Sequence, residues 1–294
     1  MKILISGASG LIGNAIKLHF SKLGYQVIPL QRKEPSRPPY WSIEKEIIDL
    51  GEHKSIDVVI HLAGENIAAG RWTKKKKEKI KNSRIKGTKL LCEYISTLKH
   101  RPKTLISASA IGYYGDRGDE ELTEDSPKGS GFLAEVCECW ENATQLALKS
   151  SIRVINMRLG MVLSPQGGAL KKMLLPFKLG LGGIIGSGHQ YISWIAIADV
   201  LGAIDYIITH EKLIGPINFV SPYPVTNKYF TKTLAKLLHR PSVVPLPSPV
   251  AKLFFGEMAK ELLLSSTKVV PKKLIESGYP FKYSQLEDAL KAIL

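Results

Sequence analysis

Short apolar runs alternate with amphipathic stretches through the first half of the chain. "KILIS" and "YQVIPL" read as strands, and Leu11 to Lys22 between them carries helical spacing that closes at Gly24. "SIDVVIHLAG" is a third strand, "KTLISAS" a fourth and "SIRVINMRL" a fifth. Between these lie long helical patterns, Thr73 to Lys99 and Phe132 to Lys149. Such alternation predicts an α/β architecture, a doubly wound parallel sheet with helices on both faces. Pro29 lies inside the second run and lacks a ladder donor, so a bulge or an irregular strand end is expected there.

After Gly160 the texture changes. A helix is followed by the Gly-punctuated "GLGGIIGSGHQ". An amphipathic helix behind a cap-like Thr226 or Asn227 leads into a proline-rich run, and the chain ends in a further helix. No internal repeat is visible. The expected organisation is a nucleotide-binding domain over 1–160, with a returning segment near 194–220, and a smaller C-terminal α/β substrate lobe over 161–294.

Composition narrows the class. Of 294 residues 44% are hydrophobic, the proportion of a folded soluble protein, and no run reaches the roughly 20 apolar residues of a membrane span. "ILIS" enters a glycine turn too early for a signal peptide. Three cysteines, Cys92, Cys137 and Cys139, form no metal or disulfide pattern, so no metal site is expected and a cytoplasmic, reducing location is. The net charge of +15 is concentrated in Arg71 to Lys89, with ten basic residues and one acidic. Ile80, Arg84, Gly87, Leu91 and Tyr94 recur there at helical spacing, which makes this an amphipathic helix with a solvated lysine face. Nucleic-acid motifs are absent, and no specific nucleic-acid partner is expected. Lys74 to Lys77 would give at most a nonspecific attraction.

The chemistry begins at "SGASGLIG", where Gly7, Gly10 and Gly13 stand between a strand and a helix. Gly7 allows a tight turn, Gly10 allows the backbone to approach a pyrophosphate, and Gly13 allows helix and strand to pack closely. The helix N-terminus then receives the diphosphate on free N–H groups. The strand before and the helix after supply the context that a bare glycine triplet lacks, and point to a Rossmann-type fold. At the end of the second strand stands "LQRKE". Gln31 and Arg32, with Lys33 next, occupy the place where an acid would bind the ribose of NAD. A guanidinium there suits a 2′-phosphate, so NADP(H) is the expected cofactor. Glu34 is expected past the strand end.

The glycine turn, "HLAG" and "SASAIGYYGD" together resemble the extended short-chain dehydrogenase/reductase superfamily. "HLAGENI", "LLPFKLGLGGIIGSGHQ", "WIAIADV", "HRPSVVPLPSP" and "KVVPKKLIESGYPF" are similar to an atypical branch of it, the epimerase-like family called SDR39U1 in animals, with bacterial relatives. The resemblance runs nearly end to end. It implies a fold like that of sugar-nucleotide epimerases and NADP binding. It also implies cofactor contacts at Ser9, Leu11 and Ile12 beside the three glycines, at Gln31 and Arg32, and at Leu62, Ala63 and Gly64. Arg158 and Gly160 would stand near the nicotinamide. Arg84, in the family's "SR" pair, would face the cofactor or remain a surface arginine.

The superfamily's proton relay is a Tyr-x-x-x-Lys pair, in which the lysine lowers the tyrosine pKa and holds the ribose. This chain reads "GSGFLAEVCECWE" at that place. With Glu141 as the marker, Leu133 replaces the tyrosine and Cys137 the lysine; in the other register Phe132 and Val136 do. Neither register restores an acid–base pair. Candidate substitutes are Ser109, near where the superfamily keeps a hydroxyl, and Tyr113 or Tyr114, as proton donors or as packing aromatics. Glu65 and Asn66 at a strand's C-terminal end would serve as a base and a substrate contact, or would cap their loop. Cys137 reads as a buried small hydrophobe rather than a nucleophile, and His61 as a strand-end residue bonding backbone. His189, Gln190 and Trp194, in a loop ahead of the strand-to-helix Asp199, would line a substrate pocket or, for the first two, hold their own loop. Many relatives have His where this chain has Ala196.

Two functions follow as expectations. One is an NADP-dependent oxidoreductase or epimerase-like enzyme with a small-molecule substrate and a non-standard acid–base group. The other is a catalytically inactive NADP-binding regulator, reporting redox state or binding a partner in division, a process to which some plant and cyanobacterial relatives are linked. A homodimer is the assembly entertained.

Overall fold

The computed structural model describes residues 1–32, 38–53 and 55–294. Six strands form one parallel sheet: β1 (Lys2–Ser6), β2 (Gln26–Leu30), β3 (Val58–His61), β4 (Thr104–Ala110), β5 (Arg153–Leu159) and β6 (Gly215–Phe219), in the order β6-β5-β4-β3-β1-β2. Strand alternation divides the core between two faces. Ile3 and Ile5 of β1 point to one side, with Ile106 and Ile155, and meet Ile16 and Phe20 of α1 (Leu11–Lys22). Leu4 points to the other side, with Val59, Leu105 and Val154, and meets Leu91, Cys92 and Ile95 of α2 (Lys74–Thr97). Both faces are covered by helices, as a parallel sheet requires.

Pro29 lies in regular register opposite Ile5, and no bulge interrupts the pair. The expectation of an irregular strand fails because β2 is the last strand of the sheet. A missing donor there deprives no second neighbour. The pattern from Phe132 to Lys149 is two helices, α3 (Phe132–Asn142) and α4 (Gln145–Lys149). The Thr144 hydroxyl donates to Glu141 O at 2.7 Å and its N–H closes onto the same carbonyl at 3.1 Å, which breaks the ladder.

Beyond β5, α5 (Gly168–Lys178) leads by the glycine loop to a short strand, Trp194–Ala196, which pairs with Met161–Leu163. Helix α6 (Ile197–Thr209) then returns the chain to β6. Helix α7 (Asn227–Leu237) is capped by Thr226, whose hydroxyl accepts from Tyr229 N at 3.2 Å. Helices α8 (Ser248–Phe255), α9 (Lys272–Glu276) and α10 (Leu286–Ile293) complete the chain. α7 and α10 bury Phe230, Leu234, Leu286 and Leu290 around Trp194. Among the described residues no helix is long and apolar enough to cross a membrane.

Candidate functional site at the carboxyl edge of the sheet

The glycine turn sits where β1 gives way to α1. Gly7 has φ +76°, and a Cβ on it would stand 2.9 Å from Ala63 N and from the Leu62 carbonyl carbon, so two strand ends meet here without side chains between them. A Cβ on Gly13 would lie 2.2 Å from Gly7 O, which makes Gly13 the contact between helix and turn. Gly10 is exposed and is the N-cap of α1, with Gly7 O as its nearest obstacle at 3.3 Å. The first bond into the helix is Asn14 N to Gly10 O, so the N–H groups of Leu11, Ile12 and Gly13 precede the ladder. Ser9 is exposed beside them.

Past the end of β2, Gln31 bridges to Tyr40: Trp41 N donates to Gln31 O at 2.8 Å. This hairpin, Tyr40–Ser42 against Ile47–Asp49, escaped the strand reading because each arm has only three residues. It brings Tyr40, Ser42, Lys45 and Ile47 round the exposed Arg32 to line a cavity of about 150 Å³. Lys33 and Glu34 lie outside the described residues.

At the middle of the sheet edge, Leu62 and Gly64 are half-buried and Ala63 is buried. Glu65 receives Lys76 Nζ at 2.5 Å, and this bond with the neighbouring cations holds its carboxyl below the usual range. It is an ion-paired carboxylate rather than a base poised near neutrality. Exposed Asn66 accepts from Ala68 N at 2.9 Å and so serves its own turn. His61 is fully buried. It bonds the Ser6 hydroxyl through Nδ1 at 2.6 Å rather than backbone, and burial lowers its pKa to about 4.

A buried polar chain crosses the end of β4, β5 and β6. Ser109 Oγ donates to Glu141 Oε1 at 2.7 Å, and Arg158 grips the same carboxylate through Nε at 2.8 Å and Nη2 at 2.9 Å. Arg158 Nη1 donates to the Tyr114 hydroxyl at 2.9 Å, which donates to Asn218 Oδ1 at 2.7 Å. Asn218 N donates in turn to buried Glu124 at 3.0 Å. Every nitrogen of the Arg158 head is engaged and the residue is 3% exposed, so its head is tied into this network. Tyr114 is fully buried, and burial pushes its pKa up to about 12; it holds the loop rather than passing protons. Ser109 is buried and turned toward Glu141. Tyr113 is half-buried, with the Arg158 guanidinium 3.5 Å from its ring centre. Gly160 is a packing glycine, since a Cβ would meet Ser193 O at 2.6 Å. Glu141, Asn218 and Glu124 were missed as members of a network, because the partners come from distant segments.

Beside this chain α3 presents Leu133, Cys137 and Glu141 one turn apart. A Cβ on Gly112 would touch Leu133 Cβ at 3.1 Å and lie 3.9 Å from Cys137 Sγ. Of the two registers, this stripe is the one turned to the end of β4. Phe132 and Val136 pack with Trp72, Ile80 and Met258, in a cluster that Leu133 also joins. Cys137 is buried, and burial with Glu141 nearby pushes its thiol up to about 12, which suits a small hydrophobe and not a nucleophile.

Comparison with known proteins is consistent with this architecture. The NAD dependent epimerase/dehydratase family matches residues 3–220. The chain belongs to that family. A second match, a domain of unknown function (DUF1731), covers residues 246–293. An epimerase family protein of Mycobacterium bovis is 38% identical over 98% of this chain and 96% of its own. The mouse epimerase family protein SDR39U1 is 36% identical over the full length of both. The crystal structure of human SDR39U1 (isoform 2) with NADPH superposes with a TM-score of 0.92 at 35% identity, covering 100% of this chain and 99% of that one.

In this epimerase-family chain the C-terminal segment reaches the site. Met258 packs on Leu133, and Glu261 accepts from Leu133 N at 3.3 Å, placing a carboxylate at the N-terminus of α3. The loop residues expected to line a pocket are placed as follows. Trp194 is fully buried in the core around α7, with Nε1 donating to Tyr223 O at 3.1 Å. Buried Gln190 bridges Ile185 O at 2.8 Å and Leu263 O at 3.1 Å, tying the glycine loop to the C-terminal segment. His189 is exposed.

Proposed function

We propose that this chain binds NADPH along the carboxyl edge of the sheet and is an NADP(H)-dependent epimerase-family oxidoreductase. The observation that carries the reading is the pair of anion sites that follow the adjacent strands β1 and β2 on that edge. The open N-terminus of α1, with Gly10 exposed and the N–H groups of Leu11, Ile12 and Gly13 ahead of the ladder, suits a diphosphate. The cavity lined by Arg32, Lys45, Ser42 and Tyr40 offers two cations and two hydroxyls, a fit to a 2′-phosphate that an acid at Arg32 would forbid. The human relative crystallised with NADPH is in accord with it.

Bound NADPH supplies hydride. This chain's contribution is the cradle at Gly7 and Gly10, the phosphate grip at Arg32 and the floor at Leu62, Ala63 and Gly64. No Tyr-x-x-x-Lys pair stands on α3, and Ser109 and Tyr114 are held in the buried network. Of the candidates Ser109, Tyr113 and Tyr114, Tyr113 is the one whose hydroxyl is outside the hydrogen bonds of that network. That same network favours a second reading, in which the chain binds NADPH without turnover and serves as a regulator.

Calorimetric titration of NADPH and NADH into protein freed of carried-over nucleotide tests the first claim. NADPH is expected to bind more tightly than NADH, and Arg32→Ala to bring the two together. Equal wild-type affinities would remove the 2′-phosphate argument. A Tyr113→Phe variant that retains full turnover with any substrate found would exclude that residue as the acid.

A further inference from the structure

Helix α8 is built with its apolar face outward. Its one buried residue is Ala251, and on a helical repeat the opposite face carries Val250, Leu253 and Phe254. Leu253 is 71% exposed and Phe254 65%. A surface helix normally buries its apolar stripe and shows water its charges. α8 does the reverse, and its single charge, Lys252, is exposed. The loop joining β3 to α2 links this face to a second one. Arg71 of that loop donates through Nη2 to Leu253 O, and Lys172 of α5 donates to Ala68 O at 3.1 Å. Exposed Leu175 and Leu179 continue the stripe that Lys172 begins.

Cations gather beside this face. Arg71 is exposed, and α2 follows it with Lys74 to Lys77 and no acid in its first turn, although the helix dipole disfavours positive charge there. Lys76 is paired with Glu65, and Lys77 with Glu257 at 2.8 Å. Lys74 and Lys75 are exposed and form no ion pair among the described residues. Uncompensated positive charge therefore flanks uncovered apolar surface, on a chain whose net charge is +15. A second copy of the chain laid on this face would set these cations against their own kind, which is repulsive. An anionic surface answers both features at once.

We propose that α8 and the start of α2 seat the protein on an anionic phospholipid surface. Leu253 and Phe254 enter the boundary between headgroups and acyl chains, and Arg71, Lys74, Lys75 and Lys252 meet the lipid phosphates. The helix lies on the bilayer, since its 8 residues fall far short of the roughly 20 of a span. From α8 the chain runs directly into Met258 and Glu261, which pack against Leu133 on α3. The lipid seat and the candidate site thus share one segment.

The test is co-sedimentation of the full chain with two kinds of vesicle, phosphatidylcholine alone and phosphatidylcholine mixed with phosphatidylglycerol. Sedimentation velocity reads self-association, and thermal unfolding compares the folds of the variants. Wild type is expected to bind the mixed vesicles at about 0.15 M salt and the neutral ones at least tenfold more weakly. Phe254→Asp lowers the affinity about tenfold or more, the scale of one lost apolar anchor, and Leu253→Ser repeats the loss without adding a charge. Lys74→Gln and Lys75→Gln lower it about fivefold each. Failure of wild type to bind the mixed vesicles would overturn the proposal. So would full binding by Phe254→Asp and Leu253→Ser, which reduces the effect to diffuse charge attraction, or equal binding of both vesicles, which leaves the cations no part. A wild type that ignores vesicles but self-associates until Phe254→Asp disperses it would give the face to a second copy instead.

Discussion

Arg158 and Glu141 form a bidentate ion pair with both partners almost out of water, their side chains 4% and 11% exposed. Burial opposes the charge on Arg158, but the Glu141 carboxylate more than offsets it and carries its pKa upward. Removing one partner strands the other. Glu141→Ala is expected to cost about 3–5 kcal/mol, the range for breaking a buried pair, and to release Ser109 and Tyr114 as well. Urea denaturation gives the number. A loss under about 1 kcal/mol would mean that water reaches the pair.

A second buried carboxylate holds the C-terminal segment in place. Asp199, at the first turn of α6, accepts from Lys282 N at 2.7 Å through Oδ1 and from Tyr283 N at 3.0 Å through Oδ2. Asp199→Ala leaves two backbone donors unpaired, at about 1–3 kcal/mol each. Limited proteolysis should then cut near residues 279–284 before the sheet unfolds. Unchanged resistance there would show that α10 docks without the tie.

Much of this was legible from the chain alone. The five strand runs and the glycine turn follow from local periodicity, and right-handed crossovers between parallel strands limit the orders that those strands can take. Pro29 misled because edge position is a property of the sheet and not of the run. The surroundings of Arg158 and Trp194 were not legible, because their motifs mark a place in the fold, whereas what packs over a side chain is set by other segments. For Arg158 that is Glu141, 17 residues away in sequence, and for Trp194 it is Tyr223 and α7. The hairpin round Arg32 was hidden by its length.

His61 couples stability to pH. It is buried and neutral, with a folded pKa of about 4 against 6.5 when exposed. Between those values the unfolded chain binds the extra proton, so stability is complete above pH 6.5 and declines as pH falls toward 4, by roughly 3 kcal/mol at most. Denaturation midpoints followed from pH 7 to 4 should fall less steeply in His61→Asn than in wild type. Parallel curves would assign the acid sensitivity to other groups.

The three turn glycines separate ligand from packing. In Gly13→Ala the new methyl meets the Gly7 carbonyl oxygen at 2.2 Å and Ala8 Cα at 2.8 Å, backbone atoms that cannot yield cheaply. That variant should lose about 1–3 kcal/mol of stability by overpacking, and nucleotide binding with it. Gly10→Ala meets only Gly7 O, at 3.3 Å, a contact that a shift of a few tenths of an ångström relieves at this exposed position. It should fold with wild-type stability yet bind NADPH at least tenfold more weakly, because the methyl occupies the path of the diphosphate rather than the path of the chain. Thermal unfolding and calorimetry on the two variants give a two-by-two outcome. If Gly10→Ala binds NADPH like wild type, the diphosphate does not lie across that glycine, and the turn serves the sheet alone.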